Sequence, residues 1–269
     1  MLRRALYGVF LTLAAVTLSA DAPIPARRLT NAAARQHDPI KIHHRRSATQ
    51  VDSSNWSGYA VTGAAGSVTD AKASWTVPMI QGPCPSTPQY SSFWVGIDGF
   101  TDNSVEQIGT DSDCQNGVPT YYAWFEFYPH PSFIINSLTI SPGDTISAEV
   151  KYLGRNQFTV SLTDTTTGHT FSTTTKVNAQ RSSAEWIAEA PSSSGGILPL
   201  ADFGSAYFGV TTLDSATMRG VSGPIGSFGS TVQEITMVSQ KDATTLKAVP
   251  SSLSGDQSSF SVTWYSAGP

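Results

Sequence analysis

The sequence predicts an all-β fold, an antiparallel sandwich or barrel that forms one compact domain over residues 51–269. From residue 55 onward, short runs of β-branched and aromatic residues recur between clusters of Gly, Pro, Asn, Asp and Ser. No long stretch has helical periodicity, and no sequence repeat or internal linker divides the domain. The predicted strands are residues 56–62, 68–77, 91–97, 105–109, 120–128, 145–153, 158–164, 170–177, 184–190, 206–212, 234–239, 244–249 and 260–265.

The first 22 residues are typical of a secretory signal peptide. Arg3 and Arg4 precede an apolar run over residues 5–18, and small residues follow it. The run is too short for a membrane span, and no later stretch approaches that length. We therefore expect a secreted, extracellular protein that has no membrane contact once the signal is removed.

Residues 23–50 form a basic segment that we interpret as a pro-segment, disordered or removed. It carries six Lys or Arg residues, three His and almost no aromatic side chains, so it cannot bury enough apolar surface to fold alone. Residues 51–269 carry 8 basic and 18 acidic residues, a net charge of −10. This charge argues against a nucleic-acid partner. It predicts that the segment binds and inhibits the domain until low pH protonates the domain's carboxylates.

The chain has two cysteines, Cys84 and Cys114. In an exported protein the simplest expectation is one disulfide between them. A catalytic thiolate would need a stabilising partner, and no histidine lies near either cysteine in the sequence.

Several predicted strands have one apolar face and one face that is aromatic and acidic. Strand alternation puts Trp94 opposite the core on one strand, Gln107 and Asp111 together on the next, and Trp124 with Glu126 on a third. Such a face is a suitable groove for an extended polymer, because it offers rings and hydrogen-bonding groups to each residue in turn.

Residues 183–189, Ser-Ala-Glu-Trp-Ile-Ala-Glu, place two carboxylates on one strand face. Glu185 and Glu189 would repel each other when buried, which raises the affinity of one of them for a proton. That arrangement is common in acid–base catalysis. A solvent-facing strand edge with two solubilising charges is the alternative.

The residues do not predict nucleophilic or metal chemistry. Beyond the pro-segment the only histidines are His130 and His169, both in loop-like contexts, and neither a Gly-x-Ser-x-Gly nor a His-Glu-x-x-His motif occurs. We expect no metal and no cofactor, and an enzyme that works with carboxylates and amides.

Four motifs, in order, resemble those of the glutamic peptidases (eqolisins, peptidase family G1). They are Asn-Trp-Ser-Gly-Tyr-Ala at 55–60, Phe-Trp-Val-Gly-Ile-Asp-Gly at 93–99, Ala-Trp-Phe-Glu-Phe-Tyr-Pro at 123–129 and Ala-Glu-Trp-Ile-Ala-Glu at 184–189. The resemblance implies a concanavalin-like sandwich of two large antiparallel sheets. It also implies a secreted acid endopeptidase that is made with a pro-segment and cleaves proteins with a Gln/Glu dyad.

Carried over by position, the resemblance assigns the dyad to Gln107 and Glu189. It assigns the substrate cleft to Trp94, Asp98, Asp111, Trp124, Glu126 and Tyr128, with Glu185 as a neighbour that lines the cleft or tunes Glu189. We expect a monomer that acts on protein or peptide substrates, with its own propeptide as inhibitor. The alternative is a carbohydrate-binding or glycoside-hydrolysing sandwich that uses a carboxylate pair among Glu126, Glu185 and Glu189.

Overall fold

The computed structural model describes residues 27–28 and 35–268, so the predicted signal peptide lies outside the described residues. Strands dominate the described chain, which confirms the predicted all-β class. Its one helix is the short 3-10 helix η1 (Ile225–Thr231), and no helix of the described part is long and apolar enough to cross a membrane. The strands are β1 (Arg27–Arg28), β2 (Ile42–Arg45), β3 (Gln50–Ser53), β4 (Trp56–Thr62), β5 (Val68–Thr76), β6 (Ser92–Ile97), β7 (Val105–Gln115), β8 (Val118–Tyr128), β9 (Phe133–Ile134), β10 (Thr145–Gly154), β11 (Gln157–Asp164), β12 (His169–Lys176), β13 (Ser183–Glu189), β14 (Ser192–Ser193), β15 (Gly196–Ile197), β16 (Ser205–Phe208), β17 (Ser215–Met218), β18 (Val221–Pro224), β19 (Val232–Val238), β20 (Leu246–Pro250) and β21 (Phe260–Trp264).

The first large sheet has the order β2-β3-β19-β4-β13-β6-β7-β8-β9-β1. All its neighbours are antiparallel except β3 and β19, which run parallel. Strand β13 lies between β4 and β6, so the segment with the two glutamates is a central strand and not a solvent-facing edge.

The second large sheet has the order β12-β11-β10-β5, and the other edge of β5 pairs first with β17 and then with β16. From β16 the sheet continues through β21 and β20 to β19. Because β19 pairs with β4 of the first sheet and with β20 of the second, it joins the two sheets along one side.

The two sheets pack face to face around one large apolar core. On β13 the alternation is as predicted: Ala184, Trp186 and Ala188 belong to this core, whereas Ile187 packs in a second apolar cluster on the opposite face. All seven residues of β13 are buried. The first sheet is therefore covered on both faces, and residues 35–41 provide part of the cover on the outer face.

Most predicted strands coincide with observed ones, and the differences have local causes. The predicted strand 105–109 is only the first half of β7, which continues through polar residues as far as Gln115 because β8 pairs with it along its whole length. The predicted strand 206–212 ends at Phe208, because Gly209 adopts a φ of 75° and turns the chain.

The predicted disulfide between Cys84 and Cys114 is present, with the two Cα atoms 5.3 Å apart. It ties the loop before β6 to the end of β7 and closes a sequence separation of 30 residues.

Replacement of both cysteines by serine should lower the free energy of unfolding by about 3–4 kcal/mol, because the cross-link restricts the unfolded chain. Urea denaturation of the wild type and the double variant measures this difference. Reduced wild-type protein is the control, since it should lose the same amount, and an unchanged midpoint in the variant would contradict the expectation.

Candidate active site

The outer face of the first sheet carries the predicted site, in rows that cross neighbouring strands. Each row runs across β13, β6, β7 and β8 through direct cross-strand pairs. The three rows are Glu185–Gly96–Gln107–Glu126, Ile187–Trp94–Gly109–Trp124 and Glu189–Ser92–Asp111–Tyr122. The middle row is apolar, and the polar rows lie on either side of it.

Gly109 makes room for the two tryptophans of the middle row. A Cβ atom at this position would lie 2.6 Å from the Cβ of Trp94 and 3.1 Å from the ring of Trp124. No real Cβ makes the first of these contacts without a shift of its neighbour, so glycine at this site keeps both indoles over the sheet.

Gln107 presents its amide to a peptide carbonyl. Its Nε2 donates to the backbone oxygen of His37 at 2.7 Å and lies 3.4 Å from Oε2 of Glu126. The Oε1 atom of Gln107 is buried and has no hydrogen-bond partner among the described residues. The Gln107 side chain is fully buried, so few other hydrogen-bond donors can reach its oxygen.

Glu189 is fully buried and accepts a hydrogen bond of 2.7 Å at Oε2 from the indole Nε1 of Trp94. Burial raises the pKa of Glu189 well above its usual range, and the charges of Asp38 and Glu126 raise it further. The positive charge of His37 and the Trp94 N–H oppose this rise in pKa. The charges of His37 and Asp38, on either side of one peptide bond, therefore both act on this carboxyl.

His37 lies deep in the cleft. Its ring stacks on Trp124, with centroids 3.4 Å apart and planes within 3°, and Nδ1 lies 3.0 Å from Oε2 of Glu126. Nε2 lies 3.7 Å from Oδ1 of Asp111. Burial alone would lower the pKa of His37, but Asp111 and Glu126 together raise it to about 10. His37 is therefore a buried imidazolium between two carboxylates.

Arg35 enters the cleft beside His37. Its guanidinium forms an ion pair with Asp113 and lies 3.6 Å from Oδ2 of Asp111. It also lies over the rings of Tyr90 and Tyr122, 4.7 and 5.2 Å from their centroids. One cation therefore faces both aspartates of this pocket.

The two aspartates of this pocket titrate differently. Burial alone would raise the pKa of Asp111, but His37 and Arg35 hold it below its usual value. Burial and the charge of Asp111 raise the pKa of Asp113 to about 7, although Arg35 opposes the change. Asp111 is therefore the carboxylate of the pair that keeps its charge as the pH falls.

Asp98 and Glu185, which the sequence also assigned to the substrate cleft, lie in a separate acidic group with Glu106 and Asp102. The carboxylate of Asp98 accepts hydrogen bonds from the backbone N–H groups of Arg181 and Ser182, at 2.6 and 2.7 Å. The other predicted cleft residue, Tyr128, packs beside the second apolar cluster and lies near enough to Asp38 for that charge to raise its pKa.

In this acidic group, neither carboxylate oxygen of Glu106 or Glu185 accepts a hydrogen bond from the described residues. Burial, followed by the charges of Asp98 and Asp102, raises the pKa of both glutamates well above the usual range. Both side chains are therefore stable in the core only when protonated. Within the described residues, no group of three or more metal-ligating side chains has a geometry that could hold a metal ion.

Comparison with known proteins identifies the family. A sequence profile described as the Peptidase A4 family matches residues 54–264. The chain belongs to this family. Aspergillopepsin-2 of Aspergillus niger is 30% identical over 226 residues, which are 76% of each chain. Scytalidopepsin B of Scytalidium lignicola is 32% identical over 169 residues, which are 61% of each chain.

Solved structures agree with the family assignment. A scytalido-glutamic peptidase bound to a transition state analog inhibitor superposes with a TM-score of 0.65 at 28% identity, covering 79% of this chain and 98% of that one. Aspergilloglutamic peptidase from Aspergillus niger superposes with a TM-score of 0.53 at 30% identity, covering 66% and 99%. These relatives confirm the predicted two-sheet sandwich and the predicted enzyme class, a glutamic-type endopeptidase.

Sequence reasoning missed some residues of the Peptidase A4 cleft. Asp113 follows Asp111 by one strand alternation and so shares its face, a signal that was available once β7 was known to extend beyond residue 109. Tyr90 lies in a loop, and Arg35 and His37 lie in the predicted pro-segment, where no periodicity indicates which groups they contact.

The buried acidic group predicts a loss of stability toward neutral pH. Because the pKa of Glu106 is raised in the folded state, its stabilising contribution is fully present below the unfolded value of about 4.3 and is lost as pH rises through the folded value. The variant Glu106→Gln should therefore be more stable than the wild type at neutral pH by about 1–3 kcal/mol and similar to it at acidic pH.

Urea denaturation of the full chain at both pH values measures this effect. Glu234→Gln makes the same change at a half-buried position on β19 and is the matched control. If Glu106→Gln loses as much stability between the two pH values as the wild type, the buried group is not its source.

Proposed function

We propose that this protein is a secreted acid endopeptidase in which Gln107 and Glu189 act together on a water and a scissile peptide carbonyl. One observation carries the assignment: the Gln107 amide donates to the carbonyl of an extended peptide at His37, and the charges of His37 and Asp38 on either side of that peptide bond act on Glu189. A carbohydrate site has no need for such a contact.

The chemistry follows from the positions of the two groups. Ionised Glu189 takes a proton from the attacking water as general base. The Gln107 N–H stabilises the oxyanion that develops on the carbonyl oxygen it already binds. Glu189, now protonated, delivers the proton to the leaving nitrogen. The Trp94 N–H favours the ionised form of Glu189 at the start of the cycle.

Acid operation is consistent with the raised pKa of Glu189. Departure of residues 35–37 from the cleft returns water to this carboxyl, which lowers its pKa toward the acidic range, while the loss of the His37 charge opposes that change. A single chain supplies every group of this site, in keeping with a monomeric enzyme.

The variants Glu189→Gln and Gln107→Ala should each lower kcat/KM on a denatured protein at about pH 4, by roughly 100-fold or more. Glu185→Gln is the matched control on the same strand and should keep most of the activity. Circular dichroism checks that all three fold. Substantial residual activity in either dyad variant removes that residue from the dyad.

A second measurement separates this enzyme class from its alternatives. Proteolysis at about pH 4 should persist in the presence of a transition-state inhibitor of aspartic proteases, because the site holds no pair of catalytic aspartates. Cleavage of polysaccharide without proteolysis would favour the glycoside-hydrolysing alternative instead.

We further propose that residues 35–38 inhibit the enzyme as the anchor of its pro-segment. Arg35 and His37 fill the cleft and neutralise its carboxylates, which are Asp111, Asp113 and Glu126. The pro-segment and a substrate therefore compete for the same carboxylates. The pKa of Asp111 is lowered in this complex. At a pH above its usual pKa, Asp111 is ionised and pairs with Arg35 and His37. As the pH falls through the lowered pKa, Asp111 takes up a proton and both pairs are lost. Release therefore requires acid.

The full-chain variant Arg35→Gln/His37→Gln should gain peptidase activity faster after acidification than the wild type, and at a higher pH. The control variant His43→Gln/Arg45→Gln changes the same residue types on the exposed strand β2 and should keep the wild-type lag. Continuous cleavage of a fluorogenic peptide follows both. Equal lags in the two variants would show that the cleft contacts do not inhibit.

A further inference from the structure

The chain on the upstream side of the His37–Asp38 bond lies in the cleft as an extended strand with its backbone fixed. Gln36 exchanges two backbone hydrogen bonds of 2.9 Å with Ser192, just beyond β13. The N–H of His37 donates to Oε2 of Glu126 at 2.9 Å, and the carbonyl of His37 accepts from Gln107. Each backbone group from residue 36 to the carbonyl of residue 37 therefore has a partner.

The downstream side of the same bond is fixed as well. The carbonyl of Asp38 accepts from Nε1 of Trp56 at 3.0 Å and from Nδ2 of Asn55 at 3.3 Å. The carboxylate of Asp38 accepts from Oγ of Ser192 and pairs with Nζ of Lys41, each at 2.5 Å. The peptide bond between His37 and Asp38 is thus held from both ends, with its carbonyl on Gln107.

The two sides differ in what else attaches them to the domain. Downstream, the N–H of Ile40 donates to the carbonyl of Gly99 at 3.0 Å, and that of Lys41 donates to Oδ1 of Asn55 at 2.8 Å. Strand β2 then pairs with β3, which is itself part of the first sheet. Upstream, Arg35 is attached mainly through carboxylates that acid neutralises. A cut at residue 37 would leave residues 38–50 in the sheet, while the upstream part would be held by the Arg35 ion pairs, the Gln36–Ser192 hydrogen bonds and the β1–β9 pair.

We propose that His37–Asp38 is the first peptide bond this enzyme cuts in its own chain, within the same molecule, so that the remaining chain begins at Asp38 and not near residue 51. The inference rests on the proposed function. Water oxygen bonds to the carbonyl carbon of His37 and the carbon–nitrogen bond to Asp38 breaks. The proton that Glu189 removes from the water passes to the nitrogen of Asp38. The products are a fragment that ends in the His37 carboxylate and a chain that begins with the Asp38 amine.

The position of the first cut is tested by intact-mass spectrometry of the full-chain protein, purified at neutral pH and then acidified. The earliest product pair should be a fragment ending at His37 and a chain beginning at Asp38. The full-chain variant Glu189→Gln, treated in the same way, should give neither product.

Cutting within one molecule is tested by dilution and by mixing. The half-life of the intact chain should stay the same over an about tenfold dilution, because the bond already occupies its own cleft. In a mixture, a Glu189→Gln chain with a distinguishable C-terminal tag should remain uncut at residue 37 during the first half-life of the wild type.

The outcomes separate this inference from the proposed function. A first cut at any other bond, an intact chain that nevertheless digests a denatured protein, or equal cutting of the tagged inactive chain would overturn the inference alone. Failure of the acidified wild type to digest any protein would overturn the proposed function itself.

Discussion

The burial of several carboxylates on one face of a sheet is the constraint on which the rest of the site depends. Asp111, Asp113, Glu126 and Glu189 all have side chains without solvent exposure. An uncompensated buried carboxylate costs several kcal/mol, so such a face needs protons or cations to be stable. Arg35 and His37 supply the cations when the cleft is occupied. The same chemistry therefore accounts for the contacts of residues 35 and 37 there, and it is the basis of the release in acid that we propose.

The fold can hold these groups because the strands that carry them are central and long. β7 alternates between the large core, where Ile108 lies, and the outer face, where Gln107 and Asp111 lie. A strand with one buried face cannot slip by one residue without exchanging these two sets, so the packing of the core fixes the position of the catalytic amide. Gly109 adds the second requirement, since only a residue without a side chain leaves space for Trp94 and Trp124 above the strand.

Alternation and motif order predicted the class of fold, the strand that carries Glu189, and the face shared by Gln107 and Asp111. They could not predict that the polar side chains of the outer face form two groups, the cleft and the separate acidic group. Asp98 shares a strand face with Trp94, yet its backbone adopts a φ of 74° at the end of β6, and its carboxylate caps the backbone of Arg181 and Ser182. Nor could composition show where the basic segment binds. Net charge predicts attraction between two polymers, whereas the contacts of Arg35 depend on loops and strands far apart in the sequence.

The two glutamates of β13 show why register is not sufficient to assign the base. By register, Glu185 is the closer counterpart of Gln107, because Gly96 lies between them in one cross-strand row. Their surroundings favour the other residue. Burial raises the pKa of Glu185, and the charges of Asp98, Asp102 and Glu106 raise it further, whereas the hydroxyl of Ser183 opposes the rise. Glu189 accepts from an indole N–H that favours its ionised form, and the charge of His37, whose carbonyl Gln107 binds, favours that form as well. A general base must be ionised before it accepts a proton. Burial raises the pKa of both glutamates, and the Trp94 donor together with the His37 charge favours Glu189 as the base.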